Sequence, residues 1–139
     1  MLSIAGRYAD IITLNPPVAP DGNSLDTAEA TAEATTQQIA WIREAAGDRF
    51  AQIELGNFVV GGIKTQREQR GDPRIAALFR SRTTGEQQSP QGIYTLVGSV
   101  DQICDQMLAN RERFGISYIG VFEQVLETFA PVVARLSGK

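Results

Sequence analysis

Parallel α/β architecture is the fold class this 139-residue chain predicts, on three observations. Helical and strand-like segments alternate in the order helix, strand, helix, strand, helix, helix, strand, helix. The strand candidates are continuous apolar runs instead of alternating ones, the pattern of parallel strands covered on both faces. The stretch from Ser99 to Leu136 reads as one helix-strand-helix repeat.

Residues 1–9 look like the back half of an amphipathic helix. Leu2, Ile4, Ala5 and Tyr8 fall near the three- and four-residue spacing of a buried stripe, with Arg7 outside it. A domain rarely opens on a packed helix without a cap or approach segment, so the expectation is that more of the same fold precedes Met1. Ile11-Ile12-Thr13-Leu14 is a β-branched strand, stopped by Asn15-Pro16-Pro17. A loop rich in Pro, Gly, Asn and Asp follows, and Asp26 or Thr27 is expected to cap a long helix. Its alanine-threonine first half reads as exposed helix. Its second half carries Ile39, Ile42, Ala45 and Ala46 at helical spacing, with Trp41 beside them, and Gly47 ends it.

Phe50 to Val60 reads as a strand region closed by Gly61-Gly62, and a broken helix is expected around Arg74 to Arg82. Ser99 and Gln102 form a capping box. Val100, Ile103, Cys104, Met107 and Leu108 then follow as a buried stripe, extended by Phe114, and Gly115 supplies the left-handed stop. Ile116 to Val121 is a strand. A last helix is expected to turn Leu126, Phe129, Val133 and Leu136 inward, with Pro131 in its first turn if Thr128 is the cap.

Composition narrows the function. Hydrophobic residues make up 42 % and charged residues 21 %, as in a globular protein. A net charge of −3 gives no reason to expect nucleic acid or an anionic membrane as partner. The apolar runs fall far short of the ~20 residues a membrane-spanning helix needs. Histidine is absent and Cys104 is the single cysteine, which excludes a Cys/His metal site, a Ser-His-Asp triad and a Cys-His dyad within this chain. One cysteine also excludes internal disulfides and fits a reducing cytoplasm. Cys104 itself lies on an apolar helix face and reads as a core thiol.

Three parallel strands make too little sheet to stand alone. They leave two edges unpaired and cannot close, whereas a complete (β/α)8 barrel takes eight strands and about 250 residues. Residues 1–139 are therefore expected to be the C-terminal portion of a TIM (β/α)8 barrel.

Four stretches carry a family likeness: Arg7-Tyr8-Ala9-Asp10-Ile11-Ile12, the run from Trp41 to Phe50 (WIREAAGDRF), Val97 to Ile103 with Arg111 to Tyr118, and Phe129 to Leu136. The first is similar to the helix-to-strand signature of the luciferase-like monooxygenase superfamily, where a glycine run stands just upstream. The second resembles a helix end in the actinobacterial branch that uses the deazaflavin coenzyme F-420. The others are similar to that branch's penultimate helix, final strand and closing helix. The likeness spans nearly all the chain outside residues 61–92. It implies a flavin- or deazaflavin-dependent oxidoreductase, with coenzyme F-420 or alternatively FMN at the C-terminal ends of the strands. Hydride would pass between the deazaflavin C5 and a small organic substrate. It also implies that the preceding half supplies much of the ring pocket, so no catalytic residue is assigned.

Candidate coenzyme contacts follow from that implication. Lys64, Arg67, Arg70, Arg74, Arg80 and Arg82 stand against only Glu68 and Asp72 in an otherwise acidic chain. They would attract a phosphodiester and an oligoglutamate tail, although a solvated helix face or loop has the same composition. Gly61 and Gly62, after a strand, would let backbone N–H groups approach a phosphate, or simply make a turn. Asn15 ends a strand where barrels place site residues, and an Asx-turn cap fits it equally. Glu123 follows the last strand in the same way and reads as a helix-entry residue. Phe58 and Tyr118 read as core. The alternative function is a truncated, inactive fragment serving as an association or ligand-binding module, its open sheet edges offering a route to a homo-oligomer.

Overall fold

Ile11–Leu14 (β1), Glu54–Val59 (β2) and Ile116–Val121 (β3) pair in parallel in the order of the sequence. The computed structural model describes residues 1–20, 22, 26, 29–59, 93–96 and 98–138. The helices are Leu2–Tyr8 (α1), Ala32–Ala46 (α2), Val100–Phe114 (α3) and Leu126–Leu136 (α4), with 3-10 turns at Gly47–Gln52 and Glu123–Val125. The α/β class with a three-stranded parallel sheet is as the sequence predicts. The helix expected around Arg74 to Arg82 lies outside the described residues.

The described helix packing is on one face of the sheet. Ile12, Leu14, Leu55 and Ile116 join Ile39 and Ile42 of α2 and Phe114 of α3 in one cluster. Val59, with half-buried Ile119 and Val121 against it, joins Ile103 and Cys104 of α3 and Phe129 and Val132 of α4 in a second. On the opposite face Ile11, Glu54 and Tyr118 are exposed, Thr13, Phe58 and Gly120 are half-buried and Gly56 is buried; a register shift between Leu55 and Gly56 puts Ile116 and Tyr118 on different faces although they are two residues apart. Burial alternates in β1, with Ile11 out and Ile12 in, whereas in β2 Leu55, Gly56 and Asn57 are buried in succession. An apolar run is ambiguous here because Ile11 is as hydrophobic as its buried neighbour.

Helices α1 and α2 lie side by side in the same direction. A Cβ built at Gly6 would fall 2.7 Å from the Ile42 carbonyl oxygen and 3.2 Å from the Ala45 Cβ, so only glycine allows the approach. The inner stripe of α1 is therefore Leu2, Ala5 and Gly6, while Ile4 and Tyr8 are exposed, contrary to expectation. Arg49 locks this corner. Its guanidinium donates to the carbonyls of Gly6 (3.2 Å), Arg7 (2.8 Å) and Ala9 (3.3 Å) and to Asp10 Oδ1 (2.9 Å). The Ala9 carbonyl and the last carbonyls of α1 otherwise lack an intrahelical donor.

Helix α2 begins later than the capping signals suggest. Thr31 is the cap, its Oγ1 accepting from the Ala34 N–H at 3.2 Å, while Asp26 Oδ1 accepts from the Glu29 N–H in a turn upstream. Thr27 is outside the described residues. The alanine-threonine half is not an exposed face: Ala30, Ala32 and Thr35 are buried, and the Thr35 hydroxyl bonds the Thr31 carbonyl at 3.0 Å. Small side chains on that face let the helix approach the core closely. Phe50 sits in the 3-10 turn, so β2 starts only at Glu54.

The capping box of α3 forms as read, Ser99 Oγ accepting from Gln102 N–H and Gln102 Oε1 accepting from Ser99 N–H. Gly115 ends the helix at φ 73°, and Cys104 is buried and free. Leu108 is exposed at the edge of the stripe. In α4 the inward residues are Phe129, Val132 and Leu136, and both Leu126 and Val133 face solvent. The helix starts before Thr128, which puts Pro131 inside it. The carbonyl that loses its N–H donor is that of Glu127, an exposed first-turn residue. An Arg135–Asp101 ion pair joins the last turn of α4 to the first turn of α3, so the end of α4 lies against the start of α3.

Candidate functional site

In parallel α/β sheets, ligands bind beyond the carboxyl ends of the strands, because the loops there are free to vary while the helices hold the frame. Here that end is marked by Asn15 after β1, Val59 at the end of β2, and Phe122 and Glu123 after β3. Asn15, Phe122 and Glu123 are exposed. The structure thus brings Asn15 and Glu123 to one rim of the sheet, on the strands flanking β2. Glu123 opens the 3-10 turn Glu123–Val125, the helix-entry role read for it. Gly61, Gly62, Lys64 and Arg67, together with the other cations of 64–82, lie outside the described residues.

The exposed face below that rim carries a pattern that the reading of Phe58 and Tyr118 as core residues missed. Gly56 of β2 pairs with Tyr118 of β3, and Phe58 pairs with Gly120. A Cβ at Gly56 would meet the Tyr118 ring at 3.0 Å, and one at Gly120 would meet the Phe58 ring at 2.7 Å. Each glycine therefore leaves the space in which the neighbouring aromatic lies across the sheet. Phe58 continues edge-on into Phe122, the ring centroids 4.9 Å apart at 66°. Tyr118 is 52 % exposed and Phe122 is 43 % exposed, so the three rings form a ledge open to solvent. The signal was present as Gly-Asn-Phe and Tyr-Ile-Gly, two aromatic-glycine pairs at period two on different strands.

Behind the ledge, on the helix side, lies a buried segment that precedes α3. Ile93, Tyr94 and Leu96 are all buried. Asn57, 1 % exposed, donates from Nδ2 to the Ile93 carbonyl, and its Oδ1 has no partner among the described residues. The Tyr94 hydroxyl donates to Gln38 Oε1 at 3.3 Å, and burial pushes its phenol up to about 12. Such a phenol stays protonated at neutral pH and anchors the segment to α2.

Chemically, the rim and ledge offer an apolar contact of angled rings, one amide and one carboxylate. Among the described residues no group of His, Cys, Asp and Glu is arranged to hold a metal. No described helix is long and apolar enough to cross a membrane. No protein-family model, curated protein or solved structure matches the chain.

Proposed function

We propose that this chain is the C-terminal portion of a luciferase-like (β/α)8 barrel and forms part of an oxidoreductase that uses coenzyme F-420, or FMN in its place. The observation that carries the reading is the one-sided sheet: three parallel strands in sequence order, with all their described helix packing on one face. A doubly wound fold covers both faces and reverses its strand order. A barrel keeps the sequential order and encloses the other face. Helices α1, α2 and α3 each return antiparallel to the strand that follows, as barrel helices do. Helix α4, whose last turn lies against the first turn of α3, departs from that regular pattern.

On this reading the aromatic ledge of Phe58, Tyr118 and Phe122 belongs to the barrel interior, near the end where the coenzyme ring binds. When bound, the deazaflavin supplies a hydride-carrying carbon. The chain's own part is to seat the ring against apolar surface, exclude water from it, and offer the Asn15 amide at the rim. Gly61, Gly62, Lys64 and Arg67 are proposed contacts for the phosphate and acidic tail, on their sequence character alone. The substrate is a small organic molecule.

Titrating F-420 with the chain and following the coenzyme's fluorescence tests the proposal, with FMN as the second arm. Saturable quenching is expected with one of them, weaker in Phe58→Ser. Neutralising Lys64 and Arg67 together should weaken binding at low salt and much less at high salt. Absence of saturable quenching with both coenzymes overturns the reading. A second reading, self-association, is favoured by Ile11, Tyr118 and Phe122 on the open face and by the outer edges of β1 and β3. A concentration-dependent increase in mass, abolished by charging Ile11, would mark that outcome.

A further inference from the structure

At the opposite end of the sheet, between α2 and α3, lies a groove of about 510 Å³. We propose that this groove binds a small organic monoanion with an apolar body, such as a monocarboxylate. Its floor is apolar, formed by Ile39, Ile53, Leu55 and Phe114, of which only Ile53 is not fully buried. Each wall contributes one arginine. Arg43 of α2 lies over the Phe50 ring, 4.6 Å from its centroid, and Arg113 of α3 lies over the Phe114 ring at 5.0 Å. Stacking holds both guanidinium planes at the groove while their N–H edges stay available.

Neither arginine forms a salt bridge among the described residues, whereas Arg49 and Arg135 are both paired with aspartates. Glu112 also lines the groove, so its three charged side chains sum to a single positive charge. That balance suits one negative charge and disfavours a dianion. The volume lies within the range of small-molecule sites, and an apolar floor with few polar groups is their usual composition. The groove is remote from the aromatic ledge, at the amino ends of the strands, so the inference does not rest on the coenzyme reading.

Benzoate and its neutral counterpart benzyl alcohol are suitable probes, followed by ligand-observed NMR on the full chain. Benzoate should bind about fivefold more tightly than benzyl alcohol, the scale of two partly exposed charge contacts. Arg43→Gln with Arg113→Gln should erase that preference, and Arg7→Gln, outside the groove, should leave it intact. Glu112→Gln should tighten benzoate binding, a gain that damage to the fold does not produce. Equal binding of the two probes overturns the proposal, as does a preference that survives the double substitution. So does a Glu112→Gln variant that binds benzoate no better than the parent.

Discussion

Replacing Arg49 by alanine separates two explanations for the corner where α1 meets β1. The side chain makes one ion pair, to Asp10, and three hydrogen bonds to the carbonyls of Gly6, Arg7 and Ala9. Asp10 is 90 % exposed at its side chain, and an ion pair so solvated contributes about 0–0.5 kcal/mol. The carbonyls are different. A charged donor serving groups that have no intrahelical N–H is worth about 1.5–3 kcal/mol per bond when buried, and less for a guanidinium 36 % exposed. Discounting for that exposure leaves about 2–3 kcal/mol for the three bonds together. Urea unfolding should therefore place Arg49→Ala well below the parent, Asp10→Ala close to it, and Arg49→Lys between them. If Asp10→Ala costs as much as Arg49→Ala, the carbonyl account is wrong and the ion pair dominates.

Gly6→Ala should destabilise the chain although alanine is the better helix former. The new methyl meets a backbone carbonyl that cannot move aside, costing about 1–3 kcal/mol against a propensity gain of about 1 kcal/mol; a raised urea midpoint would show that α1 and α2 do not touch there. Tyr94 makes stability fall at alkaline pH. The unfolded phenol ionises near 10 and the native one only at about 12. Between those values the unfolded state holds fewer protons, and stability drops by about 1.4 kcal/mol per pH unit. Tyr94→Phe should flatten that decline while changing stability at neutral pH by only about 0–1 kcal/mol, and an unaltered alkaline slope would refute the burial of the phenol.

Much of the frame could be read in advance because local chemistry announces it. Ser99 with Gln102 and the left-handed Gly115 mark α3 at both ends, and the β-branched Ile11-Ile12 and Ile116 runs mark their strands. What escaped depends on partners far along the chain. Nothing near Gly6 reveals that Ile42 lies against it, and Val132 and Val133 are chemically equal until α3 selects one. The facing of Tyr118 was hidden because it shares the parity of buried Ile116, and only the register shift against β2 turns it to the other face. The clasp of Arg49 on Asp10 joins two of the stretches that carry the family likeness, Arg7 to Ile12 and Trp41 to Phe50. No pattern within either stretch shows that contact. Asn15 reached the expected rim because Pro16-Pro17 ends β1 at a definite residue.

The proposed function makes the exposed sheet face a coenzyme-facing interior surface. Thiol labelling of Tyr118→Cys in a Cys104→Ala background measures this most directly, since Cys104 is buried and Tyr118 lies on the ledge. The new thiol should react readily in the free chain and become protected as F-420 or FMN is added, in step with the quenching of that coenzyme. Quenching without protection would place the coenzyme elsewhere. Slow labelling from the outset, with no coenzyme present, would mean that the face is already covered.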